Sequence, residues 1–446
     1  MKRAITLAGG GPAAGLHIGV LEGLENAKLT FDVWALSCIG AWVGIIYNQW
    51  QTSDKADQTY LFFRDHVFRD NVSYSRFPVN TVFGPDLETM TSAVLKFLSD
   101  PSSYENLFLP DKIANAFRET VSFWSDPGNW SRKGDINLWV LDQVLAVHPL
   151  SRFLTSLMYL SSVNGLSKIY YQDSSFLSTI KFDNLFQHSN LFIYHNAWNL
   201  SKKELQLFSN IKSDGYKDIG PQSLCACSAL PFIEETVTID DEIYCEGALI
   251  DTVNFSQLIE DHRDLDEIWV SRIVDIKQSR APENIKDALG NLCMLFAGAL
   301  GDDDVKLFKY HAREDGWQGR IYDIEVGNVN FDWNHSNLDN GRKRGRDAVT
   351  KVVHFSKFVE CYLDHNDKQG AADWANKLPE SYPLGLIAKV LTADAAGATA
   401  QAREKLIDRL LKAWGKNIER ELGKTFYKAA DLKRLIQDLW ASGLPG

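Results

Sequence analysis

The chain has 446 residues, 45% of them hydrophobic and 24% charged, the balance of a globular protein with ample material for a core. Its 47 Lys and Arg against 58 Asp and Glu leave a formal charge of −11 with no long basic run, which argues against nucleic acid as a partner and against attraction to anionic membrane surfaces. Six cysteines, at 38, 225, 227, 245, 293 and 361, show no zinc-ribbon spacing, so free thiols are expected, with no disulfide framework, no metal and no redox cofactor.

The opening MKRAITLAGG has a basic start but no apolar stretch long enough for a signal peptide. Residues 4–8 are a short apolar run that ends in three glycines. Residues 13–27 then read as a helix, with Ile18, Leu21 and Leu24 on one stripe. A second short strand over 33–37 leads into a helix over 40–50. Strand–turn–helix repeated in this way predicts a parallel α/β sheet. From about 53 to 135 the chain is aromatic-rich and broken by Pro78, Pro85, Pro101, Pro110 and Pro127, which predicts an insertion of short helices and loops able to cover a site. Further strands are expected at 191–198, 204–209 and 267–274, and helices at 283–300 and 340–363. The longest apolar run, LGNLCMLFAGAL at 289–300, is too short to cross a bilayer as a helix, and a cytoplasmic location is expected. Residues 392–400 read as a linker, followed by helices over 401–418 and 428–441. No internal repeat is visible. The expected organisation is an α/β body over 1–355 and a helical C-terminal region over 356–446.

Three stretches carry chemistry. Gly9, Gly10 and Gly11 sit between a strand and a helix, where glycines let the chain turn sharply and present amide N–H groups to an anion. A plain βα turn, or a loose dinucleotide fingerprint with Asp32, fits the same residues; a P-loop does not, since no G-K-[ST] follows. In WALSCIGAWVG a strand runs into a helix through Ser37 and Cys38. A nucleophile elbow needs small residues two before and two after the turning residue. Cys38 has Gly40 after it but Leu36 before it; Ser37 has Ala35 before it but Ile39 after it. The clean helix start at Gly40 favours Cys38, which is otherwise a small buried hydrophobe. Finally, IYCEGALIDTVNF presents Glu246 at a strand end ahead of Gly247, with Asp251 set to organise the following loop. Glu246 is thus either the base for a thiol or an ordinary solvated carboxylate.

Taken together, GGGPAAGLHIGVLEGL, LSCIGAWVG, EGALIDTVN and the preceding SLCACSALPFIEE resemble the patatin-like phospholipase family, whose pattern is Gly-Gly-Gly, then G-x-S-x-G, then D-G-[GA]. The resemblance covers the chain well to about residue 275. It implies a three-layer α/β sandwich with a mainly parallel central sheet, here with a helical C-terminal extension. It places Gly9, Gly10 and Gly11 at an oxyanion hole, Cys38 on the nucleophilic serine and Glu246 on the catalytic aspartate, with Gly40, Gly247 and Asp251 in support. The departures are Leu36 for the first elbow glycine, a thiol for the hydroxyl, an acid one methylene longer, and Ala13 for the basic residue after the glycines. A thiol ionises far more readily than an alcohol, so the paired change at 38 and 246 is chemically coherent. The resemblance therefore implies an acyltransferase or acyl hydrolase acting through a cysteine acyl-enzyme on a lipid, a coenzyme A thioester or a carrier-bound acyl group, with peripheral membrane contact as a further partner. The alternative is an inactive relative that binds an acyl ligand or a protein. Leu36 is expected to fill space beside the nucleophile. The stretch NGRKRGRD at 340–347 is either a solvated helix start or a dock for an acidic carrier or lipid headgroup. His17 reads as a packed or capping residue, Asn196 and Asn199 as turn residues, and Cys227 as a small packing residue.

Overall fold

The computed structural model describes residues 1–405 apart from 77, 79, 81, 83–85, 101–109, 132, 146–148, 161–162, 171–173, 256, 273–280, 315–316, 318, 328–329, 394, 400 and 403–404. The helices expected at 401–418 and 428–441 thus lie almost wholly outside the described residues. Two compact units form. The first takes residues 1–82, 170–230 and 236 onward; the second takes 83–169 with 231–235. The insertion expected at 53–135 is divided between them.

The strands in chain order are β1 (Arg3–Leu7), β2 (Val33–Leu36), β3 (Gly165–Ser167), β4 (Phe192–Asn199), β5 (Glu204–Ser209), β6 (Tyr216–Asp218), β7 (Phe232–Glu234), β8 (Val237–Ile239), β9 (Glu242–Glu246), β10 (Glu267–Arg272) and β11 (Arg320–Glu325). Nine of them build the sheet of the first unit, in the order β11-β10-β1-β2-β4-β5-β6, with β9 on β4 and β8 on β9. Pairing is parallel from β11 through to β4. It turns antiparallel at β4–β5, β4–β9 and β8–β9. The result is a mixed α/β fold with a mainly parallel central sheet. Every residue of β2 and β10 is buried, as expected of parallel strands covered on both faces.

Alternation along the strands assigns the two faces. Ala4, Val33, Ala35, Ile268 and Val270 share a cluster with Val305, Phe308 and Ala312 of the long helix Ile285–Glu314. Leu36, one step on from Ala35, points the other way and meets Gly44 of helix α2 (Ile39–Asn48). Helices therefore cover both faces, and the strand ends that carry the motifs lie between them.

Helix α1 (Ala14–Asn26) is held by a close seam against helix His335–Val359. A β-carbon on Gly15 or Gly19 would collide with the Leu338 or Arg342 carbonyl, and one on Gly345 with the Leu16 carbonyl. Small residues at four-residue spacing bring the two backbones into contact. Two arginines of the basic stretch belong to this seam: Arg342 and Arg346 each bond Glu22 of α1 at 2.8 Å. Arg342 also pairs with Asp57, and Arg344 donates to the Gly327 carbonyl at 3.0 Å. Beyond it, helices Lys368–Lys377 and Pro383–Leu391 pack a small core around Phe358, Ala371, Ala375 and Ile387, giving a helical C-terminal region.

The second unit is mainly helical, with helices Leu87–Ser99, Pro110–Ser125, Lys133–Trp139 and Pro149–Leu160 and the parallel pair β3–β7. Among the described residues of the whole chain, no helix is long and apolar enough to cross a membrane.

Candidate active site

The apolar strand β2 ends level with β1, Leu36 lying opposite Leu7, while β4 continues past it. Ser37 N–H still bonds the Leu7 carbonyl at 3.0 Å, and the next residue reverses direction. Cys38 has φ 49° and ψ −123°, a region that side-chain-bearing residues rarely enter and that costs on the order of 1–3 kcal/mol. Helix α2 starts immediately after it. Gly40 is required here, because a β-carbon would strike the Leu7 carbonyl. Two positions before the bend stands Leu36, and its side chain turns toward α2. It runs back into the space left by Gly44, where a β-carbon would lie 2.6 Å from both Leu36 methyl carbons. The space that Leu36 fills is thus the one opposite Gly44.

Of the two neighbours at the bend, Ser37 is wholly buried and committed to structure. Its hydroxyl donates to Asn196 Oδ1 at 2.9 Å and approaches the Asp251 carbonyl at 3.4 Å. Cys38 retains 7% exposure. Its amide donates to Cys227 Sγ at 3.0 Å, from the end of helix Pro221–Cys227.

Glu246 reaches the elbow through register. Along one edge of β4, His195 pairs with Leu36 of β2, and Ala197 pairs with Glu246 of β9. Glu246 therefore stands just past the point where β2 ends, and it is buried, unlike a solvated hairpin carboxylate. The chain then turns through Gly247, where a β-carbon would come within 2.7 Å of Asn196 Oδ1 and 2.9 Å of Ala197 Cα. Asp251 secures the following loop: its Oδ1 accepts the Phe255 N–H at 3.1 Å, and its carbonyl accepts Asn196 Nδ2 at 2.8 Å.

Cys38 and Glu246 meet beside Gly9, where a β-carbon would stand 3.2 Å from Cys38 Cβ and 3.9 Å from Glu246 Oε1. Burial pushes the thiol well up, and the neighbouring negative charge of Glu246 pushes it further. Burial pushes Glu246 up to about 7, with the hydrogen bond from Cys38 opposing part of that rise. At rest near neutrality the pair thus carries at most one negative charge, on the carboxylate.

The three glycines do different work. Gly9 N–H donates to the Thr252 carbonyl at 3.1 Å, so this amide is not offered to an oxyanion, and the expectation for it is corrected. Gly9 serves by lacking a side chain, since a β-carbon would stand 2.9 Å from Ala248 Cβ and 3.2 Å from Cys38 Cβ. Gly10 and Gly11 take φ values of 151° and 59°, and the Gly10 backbone amide acts to lower the Cys38 thiol against the effect of burial. The Phe331 ring lies against Gly11.

Asn196 reads in the sequence as a turn residue, yet it ties Ser37 to the Asp251 loop. Asn199 does have a turn role, its Oδ1 accepting the Ser201 and Lys202 amides at 3.0 Å. Asp304 carries no signal of its own in the sequence. Its carboxylate accepts the Thr252 N–H at 2.8 Å, and burial together with Asp251 pushes it up to about 7. In sequence it belongs to an acidic triplet on a helix, which reads as a solvated face. Phe331 carries no periodic signal.

A family model described as patatin-like phospholipase matches residues 5–259, more than half of the chain. The chain belongs to the patatin-like phospholipase family, which points to lipid acyl hydrolysis as the class of activity. Among solved structures, VipD from Legionella pneumophila is 11% identical, with 99% of this chain and 87% of that one covered at a TM-score of 0.32. The heterodimeric ExoU–SpcU complex of the Pseudomonas aeruginosa type III secretion system is 12% identical, covering 95% and 78% at a TM-score of 0.23. No curated protein matches the chain.

Proposed function

We propose that the chain is an acyl hydrolase or acyltransferase that works through a thioester on Cys38, with Glu246 as base and the Gly10 and Gly11 amides as oxyanion donors. The observation that carries this reading is a thiol at a strained elbow, buried together with the Glu246 carboxylate against the glycine loop. Family membership supplies the class of reaction.

In the first half-reaction the Cys38 sulfur attacks the acyl carbonyl carbon while its proton passes to Glu246. Charge develops on the carbonyl oxygen beside the glycine loop, where backbone amides stabilise it without reorganising. Collapse breaks the bond to the leaving group, which takes the proton back from Glu246. In the second half, water or an acceptor nucleophile loses its proton to Glu246 and attacks the thioester, and the thiol is restored. A thiolate is a much better leaving group than an alkoxide, so with an oxygen ester the intermediate tends to revert unless the alcohol is protonated as it departs. With a thioester donor the two leaving groups are matched. Coenzyme A or carrier-bound acyl groups are therefore the preferred donors, ahead of plain phospholipid esters.

The test is intact mass after incubation with p-nitrophenyl butyrate, butyryl-coenzyme A and a lysophospholipid. One acyl adduct is expected, absent in Cys38→Ala. The second reading is a binding protein that has lost catalysis; the near-closure of Cys38 and its high resting pKa favour it. Lack of an adduct from every donor class would establish that reading.

A further inference from the structure

We infer that His17 is a positioning residue that locks the peptide ahead of the glycine loop and so aims the Gly10 and Gly11 amides at the reacting centre. The inference rests on the chemistry proposed above for its purpose, but the contacts that carry it are independent of any activity.

Three consecutive glycines have no side chains to hold them, and Gly10 and Gly11 both adopt positive φ. Such a loop presents amides usefully only if its base is fixed. The Ala8 carbonyl bonds His17 Nε2 at 2.9 Å, and the amide of the same peptide, Gly9 N–H, donates to the Thr252 carbonyl at 3.1 Å. Both ends of the Ala8–Gly9 peptide are therefore held. The preceding amide, Ala8 N–H, bonds the Ser271 carbonyl at 3.0 Å. The next amide along the chain is that of Gly10, and Gly9 itself lies against Cys38, whose Cβ would stand 3.2 Å from a β-carbon there.

The partners fix the tautomer. A carbonyl only accepts, so His17 Nε2 carries the proton; Nδ1 then accepts from the Ser271 hydroxyl at 2.8 Å. The ring is completely buried, and burial pushes it down to about 4, so it stays uncharged and its donor stays in place through neutral pH. Its support is rigid as well. His17 lies in the first turns of α1, beside Gly15 and Gly19, where that helix is seated backbone-to-backbone on helix His335–Val359. The imidazole thus ties the loop to β10 on one side and to the glycine seam on the other.

Two variants separate this role from packing. His17→Gln places an amide nitrogen where Nε2 stood and keeps the donor; His17→Asn places it nearer Nδ1 and loses the bond to Ala8. Hydrogen exchange by mass spectrometry on the full chain reads the segment containing Gly9, Gly10 and Gly11. Acylation of Cys38 by p-nitrophenyl butyrate is read in parallel. Exchange of the loop amides should rise about ten-fold or more in His17→Asn, and acylation should fall by a similar factor with little change in KM, while His17→Gln stays near wild type in both. Equal behaviour of the two variants, or an exchange increase spread over all of α1, overturns the inference and leaves a packing role. Should no form of the chain acylate, the exchange comparison still decides the positioning role, and the failure belongs to the proposed chemistry alone. If His17→Asn does not fold, Ser271→Ala, which removes only the hydroxyl behind Nδ1, should raise exchange in the same loop by a smaller factor; no change there also counts against the inference.

Discussion

Leu36 and Gly44 form a complementary pair: the leucine that replaces an elbow glycine is housed in the space left by a missing β-carbon one turn into α2. A bulky residue before the nucleophile is thereby reconciled with a tight bend. Gly44→Ala should cost about 1–3 kcal/mol, as expected for overpacking, and Leu36→Gly about 2–5 kcal/mol through a cavity and added backbone freedom. The double variant should cost clearly less than the sum, with a coupling of about 1 kcal/mol or more. Urea denaturation of the four proteins measures it, and simple additivity would mean that the two sites do not compensate.

Glu246 acts on Cys38 in two opposed ways, and the opposition gives a diagnostic. As a neighbouring negative charge it holds the thiol protonated, yet as a base it must remove that proton during attack. Glu246→Gln should therefore lower the Cys38 pKa and speed its alkylation by iodoacetamide near pH 8. The same change should slow acylation by about two to four orders of magnitude. In the wild type, acylation should rise with pH through about 7, where Glu246 becomes ionised, since only the carboxylate can accept the proton. Parallel changes in alkylation and acylation would argue that the pair is not a base and its nucleophile.

The same raised carboxyls have a sign in stability. Glu246 and Asp304 both bind their protons more tightly in the folded chain than in an unfolded one, each being pushed up to about 7. Their favourable contribution is complete below the ordinary carboxyl range and is lost as pH rises through about 7. Glu246→Gln should thus stabilise the protein relative to wild type at pH 8, by up to about 3 kcal/mol, and lose that advantage at pH 4.5. Melting temperatures at the two pH values decide it; the opposite ordering would mean that the folded state favours the carboxylate.

Local, continuous chain was the legible part. The glycine loop, α1, β2, the bend and α2 follow one another within fifty residues, and their order alone predicts a parallel α/β unit and its site. Glu246 was reachable only because its motif resembles a family pattern. What could not be read is what depends on distant partners. That Gly9 gives its amide to Thr252 is set by a residue more than two hundred positions away. Cys227 reads only as a small packing residue, whereas helix Pro221–Cys227 sets its sulfur where it accepts the Cys38 amide. The basic stretch at 340–347 has the composition of an exposed dock, and only the packing of α1 shows Glu22 waiting opposite it. Placing β9 against β4 ahead of β10 inverts no local preference, so nothing in the strand itself announces it.

Backbone strain at Cys38 yields a comparison that side-chain chemistry cannot confuse. Its φ of 49° with ψ of −123° is natural to glycine and costly for any residue with a β-carbon. Both Cys38→Ala and Cys38→Gly remove the sulfur, so both should abolish the acyl adduct. They differ in the bend. Alanine keeps the strain, whereas glycine releases it, at the expense of about 0.5–1 kcal/mol of extra unfolded-chain freedom. With the strain on the order of 1–3 kcal/mol, Cys38→Gly should be the more stable of the two by about 1 kcal/mol. At ordinary backbone angles the same exchange of alanine for glycine lowers stability, so a higher melting temperature for Cys38→Gly would mark the elbow as a place where stability yields to geometry. A lower one would show that the surrounding packing, and not the bend, dominates at this position.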